Sequence, residues 1–95
     1  MNCTELSACI AELAALRYTP AGLPALDLVL EHASQATEAG QARQVKLRIR
    51  ALALGTSAES LAKQAIGSVW RFQGFLATPR QGKSVVLHIQ EFQQD

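Results

Sequence analysis

Within the run Arg43–Arg50, apolar and cationic residues alternate from Val45 to Arg50, which is the period of a β-strand with one face in a core. The apolar members, which we expect to point inward, are Val45, Leu47 and Ile49. The cationic members would point outward every ~6.7 Å, and they are Lys46, Arg48 and Arg50. Such a row is either the solvated outer face of an amphipathic strand or a surface that binds an extended polyanion.

The first segment, residues 4–16, fits two structures. Leu6, Ala8 and Ile10 alternate as in a strand, whereas the Ala- and Leu-rich stretch Glu12–Leu16 suits a helix. The pattern alone slightly favours a helix. A turn follows at residues 19–24, where proline restricts φ and a glycine permits a positive φ.

The middle of the chain predicts two strands and a helix. Alternation over residues 26–32 predicts the second strand, the polar residues 34–41 predict a loop, and the basic strand then runs to about residue 54. Thr56 as the N-cap and Glu59 three residues later are typical of a capping box that begins a helix. We expect that helix to end at Gly67.

The last third of the chain predicts a hairpin. A fourth strand is indicated over Val69–Ala77, in which Gly74 suggests a bulge or sharp bend. A loop over residues 78–83 leads to a fifth strand over Val85–Phe92. The whole order predicts an all-β fold, a five-stranded oligonucleotide-binding (OB) barrel with one short helix between strands three and four.

The charges are distributed unevenly. The chain has 95 residues, of which 48% are hydrophobic and 18% charged, and one folded domain over residues 1–95 is expected. The net charge of +1 hides a contrast, because residues 1–38 contain one cation and five carboxylates, whereas residues 39–90 contain eight cations and one carboxylate. Since binding depends on local potential, an anionic ligand is expected in the second region.

No catalytic, metal or membrane motif accompanies these charges. The chain lacks an apolar run of ~18 residues and a basic segment leading into an apolar block, so neither a membrane span nor a signal peptide is expected. Cys3 and Cys9 predict reduced thiols in a cytoplasmic protein, without a metal site or cofactor. His32 and His88 lack a nucleophile or paired carboxylate in a known arrangement, so we expect no enzymatic activity.

Aromatic residues matter because single-strand binding usually combines a cationic groove with stacking platforms. The candidates for base stacking are Tyr18, in the turn region, and Trp70, on the fourth strand. Trp70 shares a strand face with Phe72, and core packing of both is the alternative that the pattern favours.

Several strings resemble the primosomal replication protein N family, PriB. The most specific is Thr19–Pro24 followed by Leu28–His32. Further matches, in the same order along nearly the whole chain, are Glu38–Gly40, Arg43-Gln44, Gln73–Phe75 and Val86–His88.

That resemblance implies an OB fold that forms a homodimer, and it implies a strand for residues 4–16. It also implies a non-catalytic role in replication restart. In that role PriB binds single-stranded DNA, stabilises the PriA helicase on forked DNA and helps recruit DnaT.

The positions that bind DNA in the family match this sequence to different degrees. Arg17 stands where the family has a lysine implicated in DNA contact, and Arg43 matches a family arginine. The loop between the last two strands is lysine-rich in well-known members, and here it is shorter and carries Arg80 and Lys83. Lys46 stands where those members have a tryptophan thought to stack on bases, and a nearby phenylalanine is also replaced.

These replacements predict DNA binding that is mainly electrostatic. The expected DNA-binding residues are Arg17, Arg43, Lys46, Arg48, Arg50, Arg80 and Lys83. One alternative is a protein–protein adaptor whose basic face docks an acidic partner and binds DNA weakly. Another, based on fold analogy alone, is an RNA-binding barrel.

Overall fold

The computed structural model describes residues 1–95. Its strands form one curved, mostly antiparallel sheet that closes on itself. The elements, in chain order, are β1 (Thr4–Leu13), β2 (Arg17–Tyr18), β3 (Pro24–Glu38), β4 (Gln41–Leu54), α1 (Thr56–Ala62), β5 (Val69–Ala77) and β6 (Val86–Gln93). Hydrogen-bonded neighbours follow the order β1-β5-β6-β4-β3-β2, and an additional pairing of β1 with β3 closes the ring. The predicted all-β OB barrel is confirmed, with its helix between the third and fourth long strands.

The first segment is a strand, as the family resemblance implies, and the slight preference of the pattern for a helix is wrong. β1 pairs with β5 through Thr4–Cys9 and with β3 through residues 9–13. This double pairing buries Ala8 and Ile10, and such tertiary contacts outweigh intrinsic helix propensity. A register shift between Ile10 and Glu12 marks the bulge where β1 bends from one partner to the other.

The polar residues 34–41 are not a loop, and that prediction is wrong. β3 and β4 stay paired out to Glu38 and Gln41 and are joined by Ala39 and Gly40. Both joining residues have a positive φ, 52° and 77°, as in the type I′ turns that suit twisted hairpins. Every residue from 34 to 44 is exposed because this end of the hairpin extends beyond the barrel, and we call residues 34–44 the arm.

The arm also changes the placement of the apolar residues on β4. Ile49 packs against the core as predicted, but Val45 is only half-buried and Leu47 is 38% exposed. Ala51 and Ala53 are the buried residues of this strand. The inward face of β4 is therefore core only over its second half, because the first half lies above the barrel.

The helix α1 packs on the barrel through Ala58 and Leu61, which are both fully buried. Its N-cap residue is Gly55, whose carbonyl accepts a hydrogen bond from the Ala58 N–H at 3.1 Å. No side chain caps this end, so the predicted capping box on Thr56 does not form. The helix also ends at Ala62, earlier than predicted.

Large side chains fill the barrel, and a glycine allows two of its strands to approach closely. The largest fully buried side chains are Phe72, Ile10, Leu26, Leu30, Leu61 and Leu87. The predicted bulge at Gly74 is confirmed by a register shift between Gln73 and Gly74. A Cβ atom on Gly74 would lie 1.7 Å from the backbone oxygen of His88, so a side chain at this position would force β5 and β6 apart.

Candidate nucleic-acid interface

The outward face of β4 carries the three cations that the alternation predicts to lie together. Lys46, Arg48 and Arg50 are all exposed on this face, and we call them the β4 row. Their register partners on the neighbouring strand β3 are Ala33, Glu31 and Val29. Because the opposite face of Arg50 and Arg48 adjoins core residues, the direction of these side chains is fixed by the barrel.

The middle member of the row is paired with two carboxylates. The Arg48 guanidinium donates through Nη1 to Glu31 and through Nη2 to Glu12, which β1 brings across from its bulge. All three side chains are about half exposed, with relative exposures of 53%, 49% and 61%. Exposed ion pairs contribute only about 0–1 kcal/mol, so a phosphate can compete for this guanidinium.

The two ends of the row have no such partner. Neither Lys46 nor Arg50 has a carboxylate oxygen within 4.0 Å, whereas Arg48 has two. Positive potential along the row is therefore strongest at its ends and reduced in its middle.

Arg17 on β2 lies on the same outer surface and forms a two-point ion pair. Its Nε donates to Asp27 Oδ2 at 2.8 Å, and its Nη2 donates to Asp27 Oδ1 at 3.3 Å. The hydrogen bond to Asp27, followed by the charge of that carboxylate, raises the pKa of Arg17 above its ordinary value. Arg17 therefore stays cationic at any pH at which the protein functions, although Asp27 offsets its charge.

Arg43 is separated from the row. It stands in the arm opposite Ala36, an odd number of residues from Lys46, and so its side chain projects from the other face of the hairpin. Its Nε lies 3.1 Å from Glu38 Oε1 in an exposed ion pair. The predicted set of cations is thus split between two faces, and Arg43 projects from the face opposite the β4 row.

Two open grooves run along the β4 row. The upper groove, of about 910 Å³, is lined by Lys46 and Arg48 together with Glu31. The lower groove, of about 630 Å³, is lined by Arg50 and by Glu12. Because Arg48 and Glu12 are hydrogen-bonded to each other, the two grooves adjoin at that ion pair.

The loop between β5 and β6 borders the lower groove. Pro79 and Arg17 line that groove together with Arg50, which places the loop beside the β4 row. Arg80 and Lys83 are exposed in this loop and form no ion pair. The structure thus brings Arg17, Arg50 and the start of the loop, at Pro79, to one groove, and Arg80 and Lys83 follow in that loop.

The two stacking candidates have different surroundings. Tyr18 is 64% exposed on β2, next to Arg17. Trp70 packs against the core, its Nε1 donates to Ser68 Oγ at 2.9 Å, and its ring meets Phe92 edge-on at 5.2 Å. The core-packing alternative therefore describes Trp70 better than base stacking does.

One aromatic pair was missed as a candidate site from the sequence. Phe75 and His88 stack on each other across β5 and β6, with ring centroids 4.7 Å apart. His88 also lines the lower groove. Their pairing depends on the strand register after the Gly74 bulge, which the sequence does not reveal.

Two further properties of the structure concern other classes of site. No group of three or more His, Cys, Asp and Glu side chains is placed to hold a metal ion. The helix α1 lacks the length and apolar character needed to cross a bilayer.

Known proteins show similarity over almost the whole chain. Residues 2–91 match a family described as "another single-strand binding protein family". The replication restart protein PriB of Bordetella pertussis is 50% identical over 92 residues, which cover 96% of this chain and 86% of that protein. This chain belongs to the PriB family of single-strand binding proteins.

Solved structures show the same kinship. The structure of PriB from Ralstonia solanacearum matches with a TM-score of 0.90 and 40% identity, covering 99% of this chain and 97% of that one. The wild-type single-stranded DNA binding protein from Thermus aquaticus matches with a TM-score of 0.77 and 26% identity, covering 98% of this chain and 49% of that one. PriB and single-strand binding proteins are not enzymes, which confirms the prediction that this chain has no enzymatic activity.

Proposed function

We propose that this protein binds single-stranded DNA and acts as a non-catalytic accessory protein in replication restart. The observation that carries the proposal is the pair of adjoining grooves along the β4 row, where Lys46 and Arg50 have no carboxylate partner. A single strand gains affinity from each phosphate that a cation neutralises, because bound counterions are released. Kinship with a replication restart protein over 96% of the chain supports the same role here.

The cations form a track that a flexible strand can follow. It begins at Lys46, passes Arg48 and Arg50, and reaches the loop that carries Arg80 and Lys83. Arg48 contributes to this track when its guanidinium exchanges the carboxylates of Glu12 and Glu31 for a phosphate. Because Trp70 packs against the core, this binding is mainly electrostatic and weakens steeply with salt.

Membership of the PriB family also implies protein partners. As a PriB-family member, the protein stabilises the PriA helicase on forked DNA and helps recruit DnaT, in the cytoplasm. It does so as a homodimer. One edge of β1 supports this assembly, since residues 4–8 pair with β5 on one side and have no strand on the other. An open strand edge of this kind can pair with the same strand of a second copy.

A protein–protein adaptor is the second candidate. Arg17, Arg43 and Arg48 already have carboxylate partners, which lowers the potential available to DNA and leaves a mixed surface suited to a protein partner. In that case the affinity for the helicase would exceed the affinity for DNA, and the basic face would contact acidic side chains.

Direct titration separates these candidates. Binding of fluorescent oligo-dT and binding of the helicase are measured separately, with the mass of the free protein determined in parallel. The proposal expects oligo-dT binding by a dimer, and competition by oligo-U tests the RNA alternative. Helicase binding without measurable oligo-dT binding at low salt would favour the adaptor, and a monomeric mass would reject the homodimer.

A further inference from the structure

An aromatic pair lies on the barrel surface where the core does not require it. Phe75 on β5 stands directly opposite His88 on β6, and the planes of the two rings differ by only 11°. Both residues are partly exposed, and Phe75 neither belongs to the core cluster nor packs against it. Burial in the core therefore does not account for this pair.

The other aromatic contacts of the chain behave differently. Trp70 and Phe92 meet edge-on with planes at 79°, and Phe72 lies 6.4 Å from Phe92 inside the barrel. Those rings serve the core, in which Phe72 is completely buried. The Phe75–His88 pair is thus the one stack of nearly parallel rings that is partly open to solvent.

The two histidines also differ. His32 has both ring nitrogens engaged, with Nδ1 at 2.5 Å from the Ser7 carbonyl oxygen and Nε2 at 2.8 Å from Ser34 Oγ. The His88 ring forms no hydrogen bond within the protein, and its contact is the face of Phe75. His88 is therefore held by stacking, and its nitrogens are left to solvent or a ligand.

The Phe75–His88 pair lies beside the cations of the lower groove. His88 lines the lower groove together with Arg17, Arg50 and Pro79. In the parallel pairing of β4 with β6, His88 is the register partner of Leu52, two residues from Arg50. A strand whose phosphates contact Arg50 would thus carry its bases past the aromatic pair.

We propose that Phe75 and His88 form a base-stacking platform at the end of the lower groove. This inference rests on the proposed binding of single-stranded DNA and assigns a further part of the same site. A flat aromatic surface beside a cationic groove suits a nucleobase of any identity, since every base has a π face. The platform is preorganised, because the two rings fix each other through their stacking before any strand arrives.

The test compares the variant Phe75→Leu with the wild type on two strands of equal length, oligo-dT and an abasic deoxyribose-phosphate chain. On oligo-dT the variant should bind roughly 5- to 150-fold more weakly, which is the range for losing one stacked base. On the abasic chain the two proteins should bind equally, with the same salt dependence. Equal affinities on oligo-dT, or equal losses on both strands, would overturn the platform.

Two other variants complete the test, one as a control for folding and one as a probe of contact with a base. Phe92→Leu makes the same replacement at a partly buried ring that packs against the core, and it should leave the ratio of oligo-dT to abasic affinity unchanged. Phe75→Trp should preserve oligo-dT binding, and its added fluorescence should be quenched by oligo-dT but not by the abasic chain. If quenching is equal with both strands, no base lies on the ring.

The result also distinguishes this inference from the proposed function. Should the wild type bind oligo-dT while neither Phe75→Leu nor His88→Gln changes that affinity, the platform is wrong and the proposed function stands. A wild-type protein that does not bind oligo-dT at all would overturn both.

Discussion

The β3–β4 hairpin has two halves that share one pairing pattern and differ in what surrounds them. In the barrel half, inward residues such as Leu28, Leu30 and Ala51 are buried, so the outer face alone is available for charge. In the arm, residues 34–44, both faces are exposed. The comparison shows that strand pairing alone does not position a binding side chain, whereas a buried opposite face does.

The largest expected difference between the halves is in stability. Leu30→Ala removes a fully buried side chain and should lower the free energy of unfolding by about 2–5 kcal/mol. Leu47→Ala, at the base of the arm and 38% exposed, should cost less than about 1 kcal/mol, since little of its surface is buried. Denaturant titration of both variants makes the comparison. Similar losses in the two would mean that the base of the arm is part of the core.

The next difference is in DNA binding. Lys46→Glu combined with Arg50→Glu should weaken oligo-dT binding about 100-fold at low salt, because two phosphate contacts become repulsions. Arg43→Glu is the matched control in the arm, and it should have a much smaller effect because its face is different and Glu38 already offsets it. Both proteins should keep the wild-type melting temperature. A larger loss from Arg43→Glu would place the DNA on the opposite face of the hairpin.

Removing the two carboxylates that pair with Arg48 should change DNA affinity less, and it should increase that affinity. Glu12→Gln combined with Glu31→Gln frees the Arg48 guanidinium and removes two negative charges from the grooves. Oligo-dT should then bind about three- to tenfold more tightly, with a steeper dependence on salt. Stability should fall by no more than about 1 kcal/mol per ion pair, since the pairs are exposed. Unchanged affinity would show that Arg48 does not contact the strand.

Much of the barrel could be predicted from the sequence because its strands have one buried face. The alternation of Lys46, Arg48 and Arg50 with apolar residues correctly predicts that the three cations share a face. The Gly74 bulge was also predictable, since a glycine inside a strand pattern is typical of a bulge or of two backbones in close contact. The strand β1 needed the family resemblance, because its Ala and Leu residues satisfy either pattern locally and its pairing with two strands is a tertiary effect.

What could not be predicted depends on contacts between distant segments. The arm has no buried face, so its polar residues resemble a loop even though they pair fully. The pairing of Arg48 with Glu12 joins residues 36 positions apart and requires the closure of β1 onto β3. The stack of Phe75 on His88 likewise depends on a register that shifts at the bulge.

The central claim, that cations on one outer face bind the phosphates of a single strand, is tested most directly by the salt dependence of oligo-dT affinity. Among the predicted DNA-binding residues, those without a carboxylate partner are Lys46, Arg50, Arg80 and Lys83, and Arg48 can exchange its partner, which gives about five phosphate contacts. The slope of log affinity against log salt should then be about −3.5. A slope near zero would contradict the account, since it would show that the cations do not neutralise phosphates.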